Sequence, residues 1–345
     1  MCNIFLCPTI DFMSGLQFGL MQSIVGACVG DAAGSYLEFK RGGINEDSVK
    51  KAMTMPGGGC HNTGPGQITD DGELTLALWN ALQGHIHQGD NAGVLESIIK
   101  GYARWFESMP FDIGMTCSLG FEQLSKAVKK GLKEENIVNA FYNIQKLNFK
   151  SEANGALMRA TAIATYYVHL PEEVVDVRSI ETLAKQDALC SHCSHVCQEV
   201  NAIYVLAVYY LLRGLNPDIV LDKVSDYVKH HVREETVKHW FFVESMDIRM
   251  LNCTFQAGHV RYGFVLAMHF LRNSKIGYEE AIRTTLLKGG DSDTNACIVG
   301  GLVACYHPIP AYMWKPVLKF DCTVEEHKRP ALYSLKKYVT VKPPL

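Results

Sequence analysis

The sequence predicts an all-α fold: a compact, single-domain helical assembly with its functional loops at helix starts. Apolar residues recur at helical spacing in several separated segments, and no comparable series of alternating strands appears. Breaks at residues 56–59, 109–110, 170–171, 216–217 and 307–308, each containing Pro, divide the helical stretches. None of the 345 residues builds a Pro/Ser/Gly-rich linker or a charge block. Residues 14–340 therefore read as one domain, preceded by an extension over 1–13.

Taken in order, the first long helix is expected over residues 16–33, and Gly26, Gly30 and Gly34 mark one stripe of it. A glycine costs about 1 kcal/mol relative to alanine inside a helix, so three on a stripe call for compensation. Close packing of a second helix supplies it. Asp31 lies beside Gly30, and Glu38 follows one turn beyond Gly34, placed to project into a cleft. Leu74, Ala77, Leu78, Ala81 and Leu82 form the next apolar stripe, and Asp70 with Glu73 fits a capping box that would start it. Ile98, Gly101, Tyr102, Trp105 and Phe106 repeat the spacing, as do Tyr204 to Leu212 and Phe264 to Leu271. Asp293 or Thr294 fits as the cap of a helix over 295–304.

Composition bounds the function. Hydrophobic residues at 48% and charged residues at 20% describe a globular protein. The 33 basic and 36 acidic side chains are well mixed, so no polybasic face points to nucleic acid or anionic lipid. The N-terminal stretch lacks basic residues before its apolar part and is interrupted by Pro8 and Asp11, unlike a signal peptide or membrane span. A cytoplasmic protein with 12 reduced cysteines is the expectation, and a monomer. Cys190, Cys193 and Cys197, with His192 and His195, have C-x-x-C spacing that can hold zinc, but no matching pair follows elsewhere. Packing of the three thiols on one helical face is preferred.

Two distant acidic clusters carry the strongest chemical signal: Thr69-Asp70-Asp71 and Asp291-Ser292-Asp293-Thr294, each beside a glycine. Capping alone needs one acceptor per helix, whereas each cluster holds two carboxylates that repel unless a cation lies between them. Four aspartates and two threonines are the hard oxygen donors that a divalent cation such as Mg²⁺ takes, and together the clusters read as halves of one site.

The series Gly30 to Glu38, Thr69-Asp70-Asp71, Phe111 to Thr116, Asn154-Gly155-Ala156-Leu157-Met158-Arg159, Ser191-His192 and Gly289 to Thr294 resembles the ordered motifs of the ADP-ribosylglycohydrolases, relatives of dinitrogenase reductase-activating glycohydrolase. The resemblance implies an all-α fold, two Mg²⁺ with Mn²⁺ as the alternative, and hydrolysis of an ADP-ribose glycosidic bond. It places Thr69, Asp70, Asp71, Asp291, Asp293 and Thr294 at metal-binding positions, Glu38 at the acidic position of a mobile loop that faces the metals, and Asp112 at that of an aspartate near the distal ribose, and makes these two the catalytic candidates. It lays residues 154–159 along the ADP-ribose phosphates and sets His192, Gly290 and Ser292 in the pocket. Gly72, Ser292 and His195 depart from the commoner residues of the family.

Residue chemistry is consistent with this implication. Cleaving a ribosyl bond passes through an oxocarbenium-like state, which is helped by orienting the sugar, activating water and protonating the leaving group. Asn154-Gly155 offers backbone N–H groups to phosphate, and Arg159 fits either a phosphate fork or a structural ion pair. The leading expectation is a metal-dependent hydrolase acting on ADP-ribose attached to arginine, serine or a small conjugate. A non-catalytic protein of the same fold, like the J1 lens crystallins, and a two-metal phosphohydrolase are the rivals.

Overall fold

The computed structural model describes residues 18–40, 42–86 and 93–339. The extension over 1–13, residues 14–17 and residue 340 lie outside them. Fifteen α-helices and no strand occur among the described residues; isolated bridges join Gly58 to Thr63 and Ala153 to His259. In chain order the helices are α1 (Gln22–Gly34), α2 (Glu46–Ala52), α3 (Asp70–Leu82), α4 (Val94–Glu107) and α5 (Met115–Lys129). Then come α6 (Glu134–Asn148), α7 (Thr161–His169), α8 (Val177–Leu189), α9 (His195–Leu212) and α10 (Pro217–His231). The last five are α11 (Glu235–Phe242), α12 (Val260–Arg272), α13 (Tyr278–Leu287), α14 (Ser292–Val303) and α15 (Ala311–Lys319). None of the described helices is long and apolar enough to cross a membrane.

Two helices form the centre. Every residue of α1 from Ser23 to Gly34 is buried, and so is every residue of α14. A helix apolar all round belongs inside, and these two pack on each other more extensively than any other pair. The glycine stripe is the reason they fit. A Cβ on Gly26 would lie 2.3 Å from the Gly300 carbonyl oxygen, one on Gly30 2.0 Å from that of Ala296, and one on Gly34 2.4 Å from the Asp293 Cα. Ser292 Oγ of α14 donates to the Gly34 carbonyl at 2.9 Å and pins one end of the crossing, while Tyr278 Oη, at the start of α13, donates to the Gly26 carbonyl at 2.6 Å near the other. The first helix begins at Gln22, after a 3-10 turn over Gly19–Met21, and residues 16 and 17 of the expected span lie outside the described residues.

Around this pair the expected stripes form helices. Leu74, Ala77, Leu78 and Leu82 are buried in α3, Ile98, Tyr102 and Trp105 in α4, and Tyr204, Ala207, Val208 and Leu211 in α9, all within one continuous core. The cysteine expectation needs correction. Cys190 closes α8 and Cys197 lies in α9, so the three thiols share no helix: the chain leaves helical geometry in a mostly buried turn at 191–194 and restarts at His195. Their sulfurs face separate carbonyls, of Gln186, Leu189 and Ala153, and Cys190 and Cys197 are buried.

Candidate functional site

The two acidic clusters meet at the N-termini of α3 and α14. Thr69 is the extended residue before α3, Asp70 and Asp71 open that helix, Asp291 precedes α14, and Asp293 and Thr294 lie in its first turn. Both helix ends direct partial positive charge toward the carboxylates. Neither cap residue makes a side-chain capping bond, so capping does not account for these acids. The capping box between Asp70 and Glu73 is absent as well. Glu73 instead receives Arg329 Nε at 2.8 Å, Arg329 Nη2 at 2.6 Å and the Trp105 indole at 2.8 Å.

One oxygen from each of Asp31, Asp71 and Asp293 lies within 4.8 Å of the others, and the same holds for Glu38, Asp291 and Asp293. Thr69 Oγ1 is 2.9 Å from both Asp31 Oδ1 and Asp71 Oδ2. Burial drives the carboxyl groups of Asp70, Asp71 and Asp293 well above their ordinary value, with mutual repulsion adding to it. Asp291 moves the same way, and Asp31 rises to about 7. Among the described residues no Lys or Arg pairs with Asp70, Asp71, Asp291 or Asp293, and Asp71 Oδ1 is buried without any partner. An orphaned carboxylate oxygen amid hard donors fits a hard divalent cation.

A cleft of about 350 Å³ opens above this floor, lined by Asp70, Asp71, Asp291 and Thr294 below and by Glu38, Cys60, His61 and Asp112 at one side. His61 Nε2 lies 3.1 Å from Glu38 Oε2 and 3.4 Å from Asp112 Oδ2, and Cys60 Sγ donates to Glu38 Oε2 at 3.1 Å. The two carboxyl groups are pushed apart. Burial raises Glu38, but bonds from His61 and Cys60 outweigh it and leave it below its usual value. Burial, with the charge of Glu38 nearby, lifts Asp112 to about 6. Burial and Glu38 also push the Cys60 thiol up to about 12.

The segment 154–159 divides between cleft and core. Asn154, Gly155 and Met158 line the cleft. Asn154 Nδ2 donates to Asp291 Oδ2 at 2.8 Å, orienting a floor carboxylate, while its backbone N–H is taken by the Gly258 carbonyl at 3.0 Å. Ala156 and Leu157 are packed inside. Arg159 does not reach the cleft as a phosphate fork: it is 0% exposed, with Nε on Asp187 Oδ2 at 3.1 Å, Nη1 on the Gly155 carbonyl and Nη2 on the Asp187 carbonyl at 2.9 Å. Its guanidinium also lies over the Tyr102 ring at 4.6 Å. Arg159→Ala is expected to cost about 3–5 kcal/mol, because Asp187 is left as an unpaired buried charge. Denaturant melts measure this. A phosphate-binding role would instead appear as weakened ligand affinity at unchanged stability.

His192 lines the cleft but is buried, and desolvation with the nearby Arg159 charge lowers it to about 3. It is a neutral ring at physiological pH, with Nδ1 2.9 Å from Ser191 Oγ and a buried Nε2 without partner. Gly290 and Ser292 act beneath the cleft rather than in it. The Gly290 carbonyl accepts from Phe39 N at 2.9 Å, holding the residue after Glu38, and the Gly290 φ of +76° brings its α-carbon where a Cβ would lie 1.9 Å from the Cys253 carbonyl oxygen. Ser292 Oγ is committed to the Gly34 carbonyl.

Three residues at the site were not assigned from sequence: Asp31, Cys60 and His61. Asp31 accepts from Thr69 N, Thr69 Oγ1 and Gly72 N at 2.9–3.1 Å and so shapes the first turn of α3. Its place on the glycine-striped helix was the available signal. Cys60 and His61 gave none, being a dipeptide in a Gly-rich loop.

The ADP-ribosylglycohydrolase family profile matches residues 20–338. A protein of Acanthamoeba polyphaga mimivirus named as an ADP-ribosyl glycohydrolase is 26% identical over 327 residues, covering 89% of this chain and 93% of its own length. ADP-ribosyl-[dinitrogen reductase] glycohydrolase of Rhodospirillum rubrum is 24% identical over 312 residues, 90% of this chain and 92% of its own. A solved structure described as an ADP-ribosylglycohydrolase-related protein complex superposes with a TM-score of 0.65 at 20% identity, covering 93% of this chain and 98% of that one, a likeness of fold. The helical architecture and the match across nearly the whole described chain agree: the chain belongs to the ADP-ribosylglycohydrolase family.

Proposed function

We propose that this chain is a metal-dependent hydrolase that cleaves the glycosidic bond between ADP-ribose and a protein side chain, arginine or serine, or a small ADP-ribosyl conjugate. The observation that carries the reading is the pair Glu38 and Asp112, displaced in opposite directions beside a buried acidic floor with an unpartnered oxygen. Thr69, Asp70, Asp71, Asp291, Asp293 and Thr294 would hold two Mg²⁺, with Mn²⁺ as the alternative. When bound, the ions supply positive charge that orients the ribose hydroxyls and favours ionisation of water.

The chain's own groups do the rest. Glu38, kept ionised by His61 and Cys60, accepts the proton of the attacking water. Asp112, its carboxyl lifted to about 6, donates to the departing atom from its protonated form, as expected when two acids differ in environment. His61 touches both and keeps their separation fixed. Asn154 holds Asp291 in place, and the missing side chain of Gly155 lets Cys117 and the His192 ring pack against the segment. The buried, neutral His192 packs behind the cleft wall against Gly155 and adds no charge there.

Product analysis tests the proposal. Incubated with arginine-, serine- and acetyl-linked ADP-ribose in Mg²⁺, the protein is expected to release intact ADP-ribose from at least one linkage. Inorganic phosphate as the product would favour the two-metal phosphohydrolase, and no product from any linkage would favour the non-catalytic protein of the same fold.

A further inference from the structure

At the side wall of the cleft a second donor set adjoins the hard-oxygen floor and shares Glu38 with it. Cys60 Sγ, His61 Nε2 and a Glu38 carboxylate oxygen all lie within 4.8 Å of one another. We propose that these three groups, closed by Asp112, form a zinc site whose occupation shuts the cleft.

The donor types differ from those below. A thiol, an imidazole and carboxylates make a mixed S/N/O set, which suits zinc, whereas carboxylate, hydroxyl and water oxygens suit magnesium. The spacing also fits. Cys60 Sγ and His61 Nε2 approach the same Glu38 Oε2, each at 3.1 Å, and Asp112 Oδ2 is 3.4 Å from His61 Nε2. In a tetrahedral zinc site with ordinary bond lengths the S···O edge is about 3.5 Å and the N···O edge about 3.3 Å. Along these three contacts the groups need move by no more than a few tenths of an ångström to match a zinc site, with Asp112 approaching through His61.

Local structure presents the two loop ligands together. Gly58 N donates to the Thr63 carbonyl at 2.7 Å and Thr63 N to that of Gly58 at 2.9 Å, closing a tight turn with Cys60 and His61 at its tip. The positive φ of Gly58, Gly59 and Asn62 folds that turn back toward Glu38. Cys60 is exposed, while the other described cysteines are buried or half-buried. On binding, the thiol proton leaves to solvent and a Zn–S bond takes its place, so charge and atoms balance. Zinc would engage the Glu38 and Asp112 carboxylates at once. The site itself stands independently of the hydrolase reading, and inhibition by zinc rests on it.

The test uses the full chain in excess Mg²⁺, titrated with Zn²⁺ against a competing fluorescent chelator and with Co²⁺ as a spectroscopic probe. One tightly held zinc per chain is expected, with a thiolate-to-cobalt charge-transfer band in the Co²⁺ form. Cys60→Ser should abolish that band and weaken zinc at least about tenfold, and His61→Gln should weaken it comparably. Melting curves establish that both variants are folded. Absence of zinc binding in excess Mg²⁺, or binding and a cobalt band unchanged in Cys60→Ser, overturns the site. Zinc binding without loss of hydrolysis overturns the closure of the cleft while leaving the hydrolase reading intact.

Discussion

Glu38→Gln is expected to lower turnover by about 10²–10⁴-fold while ADP-ribose affinity changes little. Glutamine keeps the shape of the side chain and accepts the hydrogen bonds of His61 and Cys60 through its amide oxygen, but it cannot take a proton. The ground-state cleft is therefore preserved and the proton acceptor is removed. Such a change belongs in kcat and leaves product binding alone. Steady-state kinetics paired with calorimetric titration of ADP-ribose separates the two quantities. An unchanged kcat would move the base to Asp112, and equal losses in kcat and affinity would mean that Glu38 holds the ligand instead.

The second large effect is on stability and reverses with metal. In chelator, the melting temperature is expected to fall as pH rises from about 4 to about 7, by several degrees. Burial raises Asp31 from 3.8 to about 7 and Asp112 to about 6, and lifts Asp70, Asp71 and Asp293 well above 3.8. The folded chain thus keeps protons that the unfolded chain has already released. Stability present below the unfolded value is lost as pH climbs through the folded ones, and each retained proton costs about 1.4 kcal/mol for every pH step of one across that interval. Saturating Mg²⁺ should remove most of the fall, since an ion that binds only the folded state stabilises it. Asp293→Asn removes one of the clustered charges. It is expected to melt higher than the parent in chelator at pH 8, to respond weakly to Mg²⁺ and to lose activity. Differential scanning calorimetry across pH, with and without Mg²⁺, reads all three. A melting temperature that rises with pH in chelator, or that ignores Mg²⁺, would remove the electrostatic basis of the metal centre.

The fold was legible where a stripe of apolar residues carried it. Leu74 to Leu82, Tyr204 to Leu212 and Phe264 to Leu271 all lie in helices because burial on one face repeats every turn. Gly26, Gly30 and Gly34 announced a close helix crossing through the cost they would otherwise impose, though not which helix they meet. The meeting of the two acidic clusters followed from repulsion that neither could relieve alone. Arg159 was different: a guanidinium carries the same donors toward a phosphate or toward Asp187, and only burial distinguishes them. The cysteine run also failed at a purely local level. Its thiols matched helical spacing, but the turn at 191–194 comes from backbone geometry that spacing does not record. Cys60 and His61 became visible only when the turn folded back on Glu38.

The pairing of α1 with α14 also sets an order of events during synthesis. Asp31, Asp70 and Asp71 leave the ribosome well before Asp291 and Asp293 are made. At ordinary elongation rates the glycine face of α1 waits roughly 10–50 s for its partner. Throughout that interval a nascent chain presents half a charge cluster and an apolar helix with nothing to cross. A cation at the proposed site would therefore be captured only once both segments are made, and its retention would report that two widely separated stretches of the polypeptide have come together.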